Sequence, residues 1–466
     1  MIPSIDWRGI AYYLSSVLYF FGYAHIVPLM ASIILGERPV FCILIIVDMF
    51  LLFGLARLLK RVSTPSEISI GEALIVMALT FIIPGFIGAL PILAYGVDFI
   101  DALFEGVSAI TTTGLSVLPG YALTSGVHFL RSFYQWLGGI GIALMIVSFM
   151  VSPGTAAFNL YVAHLGRFRI KPLSRETIKI ILEIYVTLTI MFIVFYWAGG
   201  MSLYDAVINS LTTVSTGGFT RYEVFTGIPM YLAIIFMYLS AQPLAMYFFF
   251  LKKKPRSMII DIQLIQFTLF TIICTLIFYF LTNAPVQQSL FQVVSALSTT
   301  GYTSLDNSLL PDSAKYLLSI LMIMGAGFGS TGGGLKQLRI YILLRSLIHS
   351  INKQLLPRKA VLPLKIRNES VSPEEISWVY ILFSLYVIVL VVSVLLFVSY
   401  GYPLSDSLFE SSSALATTGL SAGLSSPSLH PFLKLVLIID MWFGRVEIAP
   451  FFLLFLAIIH SLGGKK

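Results

Sequence analysis

DSLFESSSALATTGLS, residues 406–421, is a short amphipathic helix pattern that runs into Ala-Thr-Thr-Gly-Leu-Ser within an otherwise strongly apolar chain. The pattern occurs three more times, as DALFEGVSAITTTGLS at 101–116, DAVINSLTTVSTGGFT at 205–220 and QSLFQVVSALSTTGYT at 288–303. In each copy a glycine stands thirteen residues after the first residue quoted: Gly114, Gly218, Gly301 and Gly419. A helix of fixed length feeding Thr-x-Gly-[Leu/Phe/Tyr]-[Ser/Thr], four times over, suggests four parts of one ring.

The surroundings of these words set the compartment. The chain has 466 residues, of which 58% are hydrophobic and 11% charged, with a mean hydropathy of +0.92. A soluble domain carries about 25% charged residues, so the chain reads as an integral membrane protein. Apolar stretches long enough to span roughly 30 Å of hydrocarbon flank every word. The helical part of a word is too short to cross, so it enters the membrane and returns.

The expected unit is span, re-entrant half-helix, glycine turn, span. It falls at about 67–95, 101–116 and 125–150; 176–199, 204–220 and 228–251; 262–282, 288–303 and 314–348; and 374–400, 406–421 and 430–461. Two earlier stretches, about 10–35 and 39–60, carry no word and form an accessory hairpin; the first is too long for a cleaved signal peptide. Capping boxes open the spans at Thr64-Pro65-Ser66-Glu67 and Ser372-Pro373-Glu374-Glu375. The fold expected is all-α: four helix–pore loop–helix repeats in pseudo-fourfold arrangement around one pore, plus two extra N-terminal transmembrane helices. The division is 1–62 for the hairpin and 63–171, 172–257, 258–367 and 368–466 for the repeats. Non-helical backbone at membrane depth is tolerated only when buried in protein or lining a water-filled cavity. Four turns around one axis meet that condition together.

The net charge of +7 is confined in a telling way. Of the 29 Lys and Arg residues, 22 lie in alternate loops around 57–61, 167–179, 252–256 and 336–367 and at the C-terminus. This is the positive-inside pattern; with ten spans it places both termini in the cytoplasm, and it argues against nucleic acid as the partner. The opposite loops carry Asp98, Asp101, Glu105, Asp205, Glu223, Asp306, Asp312, Asp406 and Glu410, an acidic outer side that would attract cations. Cys42 and Cys274 sit in separate apolar segments and make no disulfide framework. No motif offers a nucleophile–base pair, a metal cluster or a cofactor loop, so the chain does not read as an enzyme and binds no cofactor.

The turns have chemistry suited to a dehydrated cation, which needs oxygens to replace its water shell. Glycine permits the backbone angles that turn carbonyls toward an axis. Hydroxyls beside it add oxygens or brace the loop, and the negative helix C-termini face the site. The candidate ion-binding residues are Thr112, Thr113 and Gly114; Thr216, Gly217 and Gly218; Thr299, Thr300 and Gly301; and Thr417, Thr418 and Gly419. The run Gly325-Ala-Gly327-Phe-Gly329-Ser-Thr-Gly332-Gly333-Gly334-Leu-Lys336 should break its span and leave a flexible segment. It is not a phosphate loop, because Gln337 rather than Ser or Thr follows the lysine and no soluble strand precedes it. Arg445 falls near mid-span of the last apolar stretch, with Asp440 and Glu447 as ion-pair candidates. Arg131, Asp48 and Glu72 read as interface residues, and His128, His430 and the Trp and Tyr residues as interfacial anchors.

These words resemble the Trk/Ktr/HKT superfamily of potassium transporters, in particular its TrkH-type ion-translocating membrane subunit, over about residues 64–461. Gln135-Trp136-Leu137-Gly138-Gly139-Ile140-Gly141, the glycine run at 325–334 and Gly444-Arg445-Val446-Glu447 are similar to further family signatures. The resemblance implies potassium uptake across the cell membrane through a channel-like pore, with rubidium also accepted. The four word glycines would form the selectivity filter, the glycine run the gate, and Arg445 an electrostatic barrier below the filter. Sodium-preferring plant relatives carry serine at the position of Gly114, so glycine there implies potassium. The resemblance also implies a homodimer and a cytosolic TrkA-type ring of nucleotide-binding subunits, for which loops 252–256 and 353–367 are candidate docking surfaces. A sodium-coupled or sodium-permeable transporter of the same fold, or a membrane sensor without transport, are the alternatives.

Overall fold

Proline in the first turn, an apolar run and Lys60 and Arg61 in the last turn make the second stretch one helix, α3 (Pro39–Val62). The first stretch is split at His25 into α1 (Trp7–Ala24) and α2 (Ile26–Ile34), and α1 lies along α3. This computed structural model describes residues 5–145, 175–244, 246–247, 261–355, 364–366 and 369–462. The basic loop at 252–256 and most of 353–367 lie outside them.

Each repeat begins with a long helix: α4 (Ile70–Ile87), α7 (Arg175–Ala198), α10 (Ile262–Thr282) and α14 (Pro373–Ser399). The short helices of the words are α5 (Phe99–Ile110), α8 (Leu203–Val214), α11 (Val286–Ser298) and α15 (Leu404–Leu415). The second helices are α6 (Ser125–Met145), α9 (Gly227–Ser240), α12 (Asp312–Met324) and α16 (Pro431–Arg445). The last two continue after breaks as α13 (Gln337–Gln354) and α17 (Ala449–Leu462). A two-stranded antiparallel ribbon, Lys365–Ile366 with Glu369–Ser370, and short 3-10 helices at Leu90–Tyr95, Gly120–Ala122 and Asn307–Leu309 are the remaining regular elements among the described residues.

Capping explains one boundary and corrects another. Ser372 and Glu375 form the box expected at the start of α14. The helix expected from Thr64 starts later, on a box made by Ser69 and Glu72. The earlier serine is used elsewhere: Ser66 Oγ donates to Asp6 Oδ2 (2.6 Å), and Glu72 Oε1 also accepts the Asp6 N–H (2.6 Å). The N-terminus of α1 therefore docks on this junction.

The long first helices behave as the sequence leads one to expect. On α14 a stripe of Val379, Leu382, Tyr386, Leu390, Val394 and Phe397 is buried, while Ile381, Ile388, Val391 and Leu395 face outward to where lipid lies. The second helices depart from the expected straight spans. α9 stops at Ser240, after which Pro243 supplies no N–H to a continuing ladder. The stretch 314–348 is broken between Met324 and Gln337, as the glycines predict. The stretch 430–461 is not one helix: α16 and α17 meet at 105°. Pro450 cannot donate to the carbonyl four residues earlier, and Glu447 and Ile448 take φ of 66° and 62° at the bend. Arg445 is thus the last residue of a helix rather than mid-span. Six described helical segments are long and apolar enough to cross a membrane, or seven with the bent pair, against ten spans expected. The shortfall lies in the second helices; residues 146–150 of the first of them are outside the described part.

The repeats close on each other in chain order. The second helix of each packs on the short helix of the next: α6 on α8, α9 on α11, α12 on α15, and α16 back on α5. The short helices sit inside this circle, with α5 buried throughout from Asp101 to Ile110.

Candidate functional site

Just past the end of each short helix stands a threonine of left-handed conformation: Thr112 (φ 55°), Thr216 (53°), Thr299 (55°) and Thr417 (50°). Two residues later comes the glycine, with φ of 93°, 78°, 86° and 93° at Gly114, Gly218, Gly301 and Gly419. A β-branched residue in this region costs on the order of 1–3 kcal/mol, and it recurs at the same place in all four turns. The surroundings hold it: all four threonines are at most 1% exposed.

The turns meet in a ring. A Cβ on Gly114 would overlap Gly217 O, one on Gly218 would overlap Thr300 O, one on Gly301 Thr418 O, and one on Gly419 Thr113 O. Every word glycine thus lies against the carbonyl that precedes the glycine of the next repeat, and the fourth closes on the first. All twelve candidate residues are brought to this ring. Thr112, Thr417 and Thr418 each keep a buried hydroxyl with no partner in the protein. Such an arrangement can offer oxygens from four sides to a small cation.

Residues that sequence reasoning did not assign to the turns fix them, among them Glu105 and Glu410, which were expected in acidic outer loops and are instead fully buried. Four positions into each word stand Glu105, Asn209, Gln292 and Glu410. Glu105 accepts the Val117 N–H (2.8 Å), Gln292 that of Ser304 (3.1 Å) and Glu410 that of Ala422 (2.9 Å). Seven positions in stand Ser108, Thr212, Ser295 and Ser413. Gly114 N donates to Ser108 Oγ (3.1 Å) and Gly419 N to Ser413 Oγ (3.0 Å), while Ser295 Oγ donates to Tyr302 O (2.6 Å). A polar residue at both offsets of every word was the available signal.

The ends of the short helices that the charge pattern assigns to the outside are less acidic than expected. Asp101 pairs with Lys434 (2.5 Å), Glu105 with Arg131 (2.6 Å), Asp205 with Arg221 (3.3 Å) and Asp406 with Lys315 (2.6 Å). For all but the exposed Asp205–Arg221 pair the cause is burial, since a carboxylate set among packed helices needs a partner. Lys315 and Lys434 come from the second helix of the preceding repeat, so these pairs bridge two seams of the ring. Arg131 (2% exposed), Asp48 (0%) and His128 (6%) are buried residues, not interfacial ones. Tyr134, Tyr185, Tyr196 and Tyr302 likewise lie in the interior rather than at an interface.

Against the carbonyl ends of the short helices lies the segment Gly325–Lys336, buried along its whole length. It is tied on many sides rather than loose. Thr331 Oγ1 donates to Val214 O (2.9 Å), Gly333 N to Thr299 Oγ1 (2.6 Å), Gly327 N to Ala241 O (2.9 Å) and Phe328 N to Gln263 Oε1 (2.6 Å). The Lys336 ammonium donates to Gly332 O. Arg445 Nη1 donates to Thr331 O (2.8 Å) and Nη2 to Gly138 O (2.9 Å). The ion-pair candidates of Arg445 are otherwise engaged: Glu447 pairs with Arg339 (2.5 Å), and Asp440 accepts from Ser393 Oγ (2.8 Å). Arg445 is 3% exposed and bound to two backbone carbonyls.

The family model described as TrkH, cation transport protein, matches residues 41–462. An uncharacterised cation transporter of Methanocaldococcus jannaschii is 31% identical, over 97% of this chain and 95% of its own length. The Trk system potassium uptake protein TrkH of Escherichia coli K12 is 31% identical, over 84% of this chain and 86% of its own. The crystal structure of the potassium transporter TrkH from Vibrio parahaemolyticus superposes with a TM-score of 0.83 at 26% identity, covering 97% of this chain and 98% of that one.

Proposed function

The chain belongs to the TrkH family of cation transport proteins, and from that premise we propose that it takes up potassium through a pore whose selectivity filter is the ring of four glycine turns. The observation that carries this reading is the cyclic contact of each word glycine with the carbonyl before the next. A cation entering the ring exchanges water oxygens for carbonyl and threonine oxygens, and the negative ends of four short helices favour its charge. Potassium comes from the relatives' names and from glycine at position 114. The repeats divide the chain at about 63, 172, 258 and 368, with both termini on the cytoplasmic side.

In this reading Gly325–Lys336 is the gate, because it occupies the space under the turns as non-helical backbone between two helices. Arg445 is the barrier: a guanidinium under the filter repels a permeating cation while it holds the gate segment through Thr331 O. A cytosolic nucleotide-binding ring and a second copy of the chain complete the assembly. The test is ⁸⁶Rb⁺ uptake into proteoliposomes, with competing K⁺ and Na⁺, with and without a pH or sodium gradient. Potassium competing far better than sodium is the expected result. Equal competition would replace potassium by a sodium-permeable function, and no flux at all would leave a sensor.

A further inference from the structure

Three turns are braced by the Glu or Gln side chain four positions into their own word, and one is not. In the second repeat the bracing place is held by Asn209, one methylene shorter than its counterparts. Its Nδ2 turns back to Asp205 O (2.8 Å), and its Oδ1 has no partner. The second turn is held instead from the neighbouring repeat. Gln135, on α6 and fully buried, donates through Nε2 to Gly217 O (2.5 Å) and accepts the Phe219 N–H at Oε1 (3.2 Å). The two bonds fix the amide's orientation, because the flipped form would set oxygen against oxygen and N–H against N–H.

Gly217 and Gln135 are matched. The other turns carry Thr113, Thr300 and Thr418 where the second carries Gly217, and a Cβ at Gly217 would overlap the Gln135 carboxamide. The carbonyl that Gln135 holds is the one against Gly114, equivalent to those of Thr113, Thr300 and Thr418. A carbonyl with one lone pair engaged by an amide N–H is a weaker cation ligand. It is also unable to follow a smaller ion inward without losing that bond.

We propose that Gln135 is a specificity-determining positioning residue: by clamping the Gly217 carbonyl from the first repeat, it keeps one side of the ring from contracting around sodium. This rests on the reading of the four turns as an ion filter. The ring is then fourfold in backbone but has one quarter whose geometry is set by another repeat.

The experiment measures Na⁺ against ⁸⁶Rb⁺ permeation in proteoliposomes for Gln135→Leu, which loses both bonds, and Gln135→Glu, which keeps only the acceptor for Phe219 N–H. The expected result is a rise of about tenfold in relative sodium permeation for both, the scale of one lost interaction of about 1.4 kcal/mol. Ser132→Ala, one turn away on α6 with a hydroxyl that has no partner, should leave the ratio unchanged. A fall in total flux and thermal stability with the ratio constant would overturn the proposal, because that is what a purely structural role gives. If the Gln135 variants do not fold, Gly217→Ala serves: its φ is ordinary, its added methyl displaces the Gln135 amide, and it should give the same shift. Gly114→Ser separates the two layers of argument. If it alters selectivity and the Gln135 variants do not, only this inference fails; if none of them does, the filter reading fails as well.

Discussion

The four turns and the four helices that follow them differ in one respect: the turns are copies in backbone and the helices are not. Each turn has a left-handed threonine, a positive-φ glycine and a carbonyl against its neighbour. Among the following helices, one carries Gln135, one stops at Ser240, one opens into Gly325–Lys336, and one ends at Arg445 and bends by 105°. A ligand ring for a spherical ion gains from symmetry, because every side must offer oxygen at one distance. A control layer gains from asymmetry, because a single barrier or moving segment is enough to stop a pore.

The largest effect should come from breaking the copies. Gly301→Ala sets a methyl into Thr418 O and forces a left-handed alanine, so it should abolish ⁸⁶Rb⁺ uptake; Gly419→Ala, set against Thr113 O, should do the same. Uptake surviving in one of them would mean that its turn is not an equal member of the ring. Next comes the brace. Glu105→Ala strands Arg131, whose partner is 2.6 Å away and fully buried, and should destabilise the protein by about 3–5 kcal/mol. Asn209→Ala at the equivalent place removes one bond to Asp205 O and should cost about 1 kcal/mol. Thermal melts in detergent decide between them, and equal losses would refute the distinction between the second repeat and the rest.

Below the ring the effects should be smaller and opposite in sign. Arg445→Ala removes a buried cation and frees Thr331 O and Gly138 O, so ⁸⁶Rb⁺ flux should rise by about tenfold, equivalent to about 1.4 kcal/mol of barrier. Arg445→Lys keeps the charge, loses the fork and should fall between. Unchanged flux in folded Arg445→Ala would remove the arginine from the control layer.

What the sequence revealed follows the same division. The turns were legible because repetition at a fixed offset is a local signal, and so was the break at Gly325, because glycines declare it. The bend after Arg445 was not, since Val446, Glu447 and Ile448 look helical and only Pro450 hints at a stop. The start of α4 was ambiguous between two successive Ser/Thr-x-x-Glu words, Thr64–Glu67 and Ser69–Glu72, and the choice fell to Asp6, far away in sequence. The pairs Lys434–Asp101 and Lys315–Asp406 join residues 333 and 91 positions apart. Nothing local distinguishes such lysines from surface ones. The Gln135 clamp was hidden for the same reason, although its partner Gly217 was visible as the one glycine where three words have threonine.

The smallest effect should come from outside the ring altogether. In the hairpin, Asp48 on α3 is fully buried, and neither carboxylate oxygen has a hydrogen-bond donor; His25 Nε2 is 4.0 Å away. A carboxyl so placed costs stability, because its charge must be desolvated or neutralised by a proton on folding, and an amide of the same shape has no such charge to lose. Asp48→Asn should therefore stabilise the protein by about 1 kcal/mol and leave ⁸⁶Rb⁺ flux and the sodium-to-rubidium ratio where they were. α2 packs on α6, and the Tyr134 hydroxyl reaches His25 from one residue before Gln135. A change in selectivity on replacing Asp48 would therefore extend the asymmetric layer into the hairpin; an unchanged ratio confines it to α6 and the helices that line the ring.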